Sequence, residues 1–184
     1  MANLIGVTGK AGAGKDELAR ILRERHGFTR MAFADPLKEA AAVAFDINEN
    51  MFHTPEGKQA KDDFWSLTNR EILQRFGEAM CKEFGEDFWV QRWFIDYPGG
   101  EADSIVVTDV RKDVEASMIR DLGGVVVQIN RECAGLQGGE ANHVSERGVS
   151  QALIDWTITN DGSLDDLADE VNKLLVWDRC RGRG

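Results

Sequence analysis

Leu4-Ile5-Gly6-Val7-Thr8, followed by Gly9-Lys10-Ala11-Gly12-Ala13-Gly14-Lys15-Asp16, decides how the rest of the chain is read. The first five residues form a short apolar, β-branched run, which predicts a buried strand. The residues after it satisfy GxxxxGK and open a helical stretch from Asp16 to Arg25. Strand, turn and helix in that order are the context in which this spacing holds phosphate. Glycines let successive backbone N–H groups curl around a phosphate, and the helix N-terminus adds partial positive charge. Lys15 reaches the outer phosphates, so Gly9, Lys10, Ala11, Gly12, Ala13, Gly14 and Lys15 are the expected triphosphate contacts. Where Ser or Thr commonly meets the metal, this chain has Asp16, a carboxylate suited to Mg²⁺.

Four more apolar runs follow: Thr29 to Phe33, Ile105 to Thr108, Val125 to Ile129 and Trp156 to Thr159. Helical stretches separate them, at Asp35 to Phe45, Asn69 to Phe84, Glu86 to Ile95, Asp113 to Leu122 and Leu164 to Val176. The alternation predicts an α/β chain, a five-stranded parallel sheet flanked by helices in three layers. Asp35 is expected to cap the helix that Pro36 opens, and Thr68 with Glu71 reads as a capping box. Ser163 precedes a helix with one apolar face, and Gly123 sits where a helix stops. Residues 46–66 and 131–147 are the expected irregular segments of one domain spanning 1–184.

Composition narrows the function classes. With 184 residues, 42% of them hydrophobic, the chain can bury a core. The balance of 22 Lys and Arg against 32 Asp and Glu leaves a formal charge of -10, which repels nucleic-acid polymers and anionic membranes. A small anionic substrate must then meet a local cluster of cations. Three scattered cysteines without a CxxC pair read as reduced thiols. No apolar run approaches the roughly 18 residues of a membrane helix, and the Met-Ala-Asn start lacks a basic signal region. A cytoplasmic location is expected.

In an open parallel sheet, ligands sit beyond the carboxyl ends of the strands. The residues leaving those ends are the phosphate loop, then Asp35 and Lys38, Asp109 and Arg111, Arg131, and Asn160-Asp161-Gly162. Asp109 is placed like a second Mg²⁺ carboxylate, and Arg111 is spaced to fork onto a phosphate. Arg70, Gln74 and Gly77 share one face of their helix, suited to an acceptor phosphate, while Leu73, Phe76, Met80 and Phe84 line another. Among Phe33, Trp65, Trp89 and Trp93, Trp89 is the favoured platform for a flat base.

The segments GKAGAGKD, FADPLK, LTNREILQRFGEAM followed by FW, TDVRKDVEA, HVSE and TNDG together resemble bacteriophage-type deoxynucleoside monophosphate kinases, over residues 6–162. The resemblance implies a P-loop kinase with a short lid, using ATP and Mg²⁺. The lysine-aspartate pair in the loop is the family's own variant, although Glu17 stands where Thr is usual. By the same resemblance Asp35, Lys38, Arg70, Gln74, Trp89 and Arg111 hold a deoxynucleoside monophosphate. Arg131 and Arg147 flank a lid carrying His143, Ser145 and Glu146, and Asn160 lies near the adenine. Lys15, Arg111, Arg131 and Arg147 are the expected catalytic cations, and Asp16 and Asp109 the metal ligands. The implied setting is the cytoplasm, that of the host if the chain is phage-encoded, with a homodimer left open. Animal phosphomevalonate kinases are similar in layout, so a phosphomevalonate-type kinase is the alternative. A nucleotide-binding regulatory switch is the reading from a different class.

Overall fold

In the computed structural model, which describes residues 4–99, 103–132 and 148–181, Leu4–Thr8 forms strand β1, buried along its whole length. It is the middle strand of a five-stranded sheet of order β2-β5-β1-β6-β7. The other strands are β2 (Thr29–Met31), β5 (Ile105–Val107), β6 (Val125–Asn130) and β7 (Trp156–Thr159). Every pairing is parallel. Central strands of such a sheet are covered on both faces, which explains why β1, β5 and β6 read as continuous apolar runs instead of alternating ones.

Successive residues of a strand face opposite sides, so Ile5 and Val7 face one layer and Gly6 the other. On the first side, Ile5 and Val7 share a core with Leu18 and Leu22 of α1 (Lys15–His26) and Leu167, Val171 and Leu174 of α7 (Leu164–Arg181). On the other lies α6 (Asp113–Asp121). It comes so close that a Cβ on Gly6 would stand 3.0 Å from Ile119 and 3.1 Å from Val110. The expected three layers are therefore present, and glycine at position 6 is what lets the second layer close.

Contacts divide the chain into two compact units: Met1–Ala32 with Pro98–Gly184, which holds the sheet, and Phe33–Tyr97. The second unit contains α2 (Asp35–Phe45), α3 (Pro55–Gln59), an antiparallel ribbon of β3 (Lys61–Asp62) and β4 (Leu67–Thr68), α4 (Asn69–Phe84) and α5 (Phe88–Asp96). Phe52, Ile72, Val90 and Trp93 are buried in it. Phe33 was expected to extend β2; its ring instead packs on Trp93 with centroids 4.7 Å apart. Residues 46–66, read as irregular, contain a 3₁₀ turn at Glu49–Phe52 as well as α3 and β3. Thr68 and Glu71 do form the capping box of α4. Asp35 does not cap α2: the helix already includes it, and Ala34 holds the cap position without a side-chain bond. Among the described residues, no helix is long and apolar enough to cross a membrane.

Candidate phosphoryl-transfer site

The phosphate loop is shaped by backbone that only glycine adopts easily. Gly9 has φ 149°, and a Cβ there would overlap the carbonyl oxygen of Ile129. Gly14, at φ 105°, is the residue before α1. Within the loop, Ala13 N–H donates to the Lys10 carbonyl at 3.2 Å. Lys15 Nζ folds back over the turn and donates to the carbonyls of Gly9 at 2.7 Å and Lys10 at 2.9 Å. A lysine ammonium is thereby fixed at the N-terminal, electropositive end of a helix, the setting in which phosphate oxygens are stabilised. Asp16 is exposed in the first turn. Glu17, in the position where Thr is usual, accepts hydrogen bonds from Arg20, which hold its carboxyl below the ordinary range.

Beyond β5 the chain stays bonded to the sheet, with Thr108 N–H donating to Met31 and Val110 N–H to the Val7 carbonyl at 3.2 Å. Asp109 between them is half-buried and lies four residues before α6, so it is no helix cap. Arg111 is exposed, and its backbone is fixed by a residue that the sequence reading passed over. Glu115 Oε2 accepts the N–H of Arg111 at 2.6 Å and that of Lys112 at 3.0 Å. The only sequence signal was the three-residue spacing from Lys112 to Glu115 at a helix start, which looks like any first-turn acid.

Burial pushes the Glu115 carboxyl up to about 7, assisted by the nearby charge of Asp109 and opposed by the two N–H groups and Lys112. A pKa raised in the folded state means that the native chain keeps a proton the unfolded chain has released. Stability is then full below the ordinary value of 4.5 and is lost as pH rises through about 7. Glu115→Gln keeps an oxygen acceptor without the charge. Its unfolding free energy is expected to stay level across that window and to exceed wild type by up to about 3 kcal/mol at pH 8. Glu115→Ala, which orphans two N–H groups, is expected to lose about 1–3 kcal/mol at pH 4.5, a deficit that closes toward pH 8 as the wild type gives up its own pH-dependent stability. Denaturant melts between pH 4.5 and 8 check both.

Arg131 is exposed at the end of β6. Arg147, with His143, Ser145 and Glu146, lies outside the described residues. Both borders of that stretch are tied down: Asp161 Oδ1 accepts the Glu132 N–H at 2.8 Å, and Asp113 accepts the Ser150 N–H at 2.8 Å and its hydroxyl at 2.5 Å. Asn160 is half-buried at the end of β7, its Nδ2 donating to the Ala13 carbonyl at 2.9 Å.

Of the residues expected to take the acceptor, Asp35, Lys38, Arg70, Gln74 and Trp89 lie in the second unit and Arg111 in the sheet unit. Lys38 is buried, and its Nζ pairs with Asp35 Oδ1 at 3.0 Å, one turn apart on α2. On α4, Arg70 is half-buried and Gln74 exposed. Gly77 is not part of an open polar face with them. A Cβ on it would stand 3.2 Å from Leu37 of α2, and its carbonyl accepts Trp89 Nε1–H at 3.2 Å. Trp89 is half-buried, its ring edge-on to those of Phe76 and Phe88. Trp93 belongs to the core, whereas Phe84, expected on an apolar face, is 67% exposed. Among the described residues no three His, Cys, Asp or Glu side chains cluster as a metal site. Asp16 and Asp109 are hard oxygen donors of the kind Mg²⁺ accepts when phosphate oxygens and water supply most of its ligands.

Residues 49–171 match the family described as deoxynucleotide monophosphate kinase. A candidate deoxynucleotide monophosphate kinase of Acanthamoeba polyphaga mimivirus is 28% identical over 182 residues, covering 91% of this chain and 93% of its own. The deoxynucleotide monophosphate kinase of Escherichia phage RB69 is 32% identical over 118 residues, 62% of this chain and 46% of its own, so the match spans about half of that relative. Among solved structures, the dephospho-CoA kinase of Campylobacter jejuni aligns over 95% of this chain and 96% of its own with a TM-score of 0.52 at 18% identity, a likeness of fold.

Proposed function

The chain belongs to the deoxynucleotide monophosphate kinase family, and from that premise we propose that it transfers the γ-phosphoryl group of ATP to the 5′-phosphate of a deoxynucleoside monophosphate. It is a phosphotransferase acting on nucleotides. The observation that carries the finer reading is the Lys15 ammonium held over the glycine turn by the Gly9 and Lys10 carbonyls.

No general base is required of the protein. The acceptor's phosphate has a second pKa near 6, so at pH 7 its attacking oxygen is largely deprotonated. The obstacle is the approach of two polyanions. Lys15 and the loop N–H groups, from Gly9 to Asp16, take the donor; Arg111, Arg70 and the cations Arg131 and Arg147 offset the charge that develops as the phosphoryl group passes. Asp35, Lys38, Gln74 and Trp89 hold the acceptor, and orientation supplies much of the rate. Lys38, already buried and paired, has lost most of its solvation, so exchanging its carboxylate partner for a phosphate costs it little. Asp16 and Asp109 would hold Mg²⁺, which neutralises the β- and γ-phosphate oxygens when bound.

A coupled assay of the four deoxynucleoside monophosphates with ATP and Mg²⁺ tests this. Formation of at least one deoxynucleoside diphosphate is expected. Turnover of another phosphorylated metabolite with no deoxynucleotide accepted would move the chain to the phosphomevalonate-type reading. ATP hydrolysis independent of any acceptor would favour a nucleotide switch.

A further inference from the structure

We propose that Asn160 is a positioning residue that aims the Gly14 N–H into the phosphate cradle. The inference rests on the reading of Gly9 to Lys15 as a triphosphate site. Asn160 is anchored at the sheet's edge, its backbone N–H donating to the Asn130 carbonyl at 2.8 Å. Its side-chain Nδ2 donates across 147 positions of sequence to the Ala13 carbonyl at 2.9 Å. The peptide joining Ala13 to Gly14 is planar and trans, as no cis bond occurs among the described residues. In a trans peptide the C=O and the N–H point to opposite sides. Holding the Ala13 oxygen outward therefore fixes the Gly14 N–H inward, at the last turn before α1.

Steric evidence supports the same bracket. A Cβ on Gly14 would overlap Asn160 Nδ2 and approach Ile129 Cδ1 to 3.5 Å, while at the loop's other end a Cβ on Gly9 would overlap the Ile129 carbonyl. The exits of β6 and β7 thus grip the loop at both ends. Asp161 braces the grip by accepting the Glu132 N–H at 2.8 Å. The resemblance places Asn160 near the adenine; one N–H of its amide is engaged with the loop backbone, and through that bond its effect reaches every triphosphate whatever the base.

Asn160→Leu removes the donor at nearly constant shape and without adding charge, and Asn160→Ala is the second variant should the leucine disturb folding. Each is titrated calorimetrically with ATP, GTP and inorganic tripolyphosphate, its melting temperature is recorded, and amide exchange is followed at Gly14. All three ligands are expected to weaken together by about tenfold, as one charge-assisted contact would. The acceptor's KM should stay within about twofold of wild type, and exchange at Gly14 should accelerate. A loss confined to ATP, with tripolyphosphate binding intact, would make Asn160 a base contact and overturn the proposal, as would unchanged binding of all three. If the wild-type chain bound no triphosphate, the phosphate-loop reading would itself fall and the role of Asn160 with it. Exchange at Gly14 reads the Asn160 bond without any ligand, so failure of the phosphate-loop reading is distinguished from failure of the bracket itself.

Discussion

Lys15→Ala should lower turnover by about three orders of magnitude while leaving the fold in place. A fixed positive charge aimed at developing phosphate charge, away from bulk water, is worth roughly 4 kcal/mol of transition-state stabilisation, which is a factor of nearly a thousand in rate. The structural cost is smaller. The side chain donates to two loop carbonyls, Gly9 and Lys10, and it is only half-buried. Losing two such bonds removes about 1–3 kcal/mol, or several degrees in melting temperature for a chain of this size. Lys15→Arg should fare little better, because a planar guanidinium does not fit a cradle built for a compact ammonium. Single-turnover kinetics with saturating ATP separate rate from binding. Activity within tenfold of wild type in Lys15→Ala would remove the residue from the mechanism.

Arg111→Ala should act on the other substrate. The Glu115 carboxylate fixes the arginine's backbone, while its side chain is exposed at the exit of β5. A forked contact from guanidinium to phosphate contributes on the order of 3 kcal/mol. The expected result is a fall of about a hundredfold in kcat/KM for the acceptor with the KM for ATP nearly unchanged. Arg111→Lys should restore part of it, keeping the charge without the fork. A rise in the KM for ATP as large as that for the acceptor would show that Arg111 serves the donor or the turn, not the acceptor.

How much of this was legible beforehand differs between the two units. In the sheet unit β1 falls where its apolar run puts it, because burial on both faces writes itself as an uninterrupted apolar stretch; β7, an edge strand in which Ile158 is buried, and the start of α6 at Asp113 also keep their expected positions. In the second unit α2 and α4 have the expected bounds, and Thr68 with Glu71 marks the start of α4. The ribbon of Lys61–Asp62 and Leu67–Thr68 was not visible, since two-residue strands carry no period. The phosphate loop was readable as a local motif. The bond from Asn160 to Ala13 was not, because it joins residues far apart in sequence through the order of the strands. Glu115 was missed for another reason: its importance comes from burial, and spacing alone does not report burial.

Strands β2 and β5 are parallel neighbours, paired from Thr29 with Ile105 to Met31 with Val107, so some crossover must join them. Here the crossover is the whole of Phe33–Tyr97. Such a connection is thermodynamically cheap to lengthen, about 0.6 kcal/mol for each doubling. Under the proposed function that stretch carries Asp35, Lys38, Arg70, Gln74 and Trp89, so lengthening or exchanging it would retool the choice of acceptor while every strand of the five-stranded sheet keeps its neighbours.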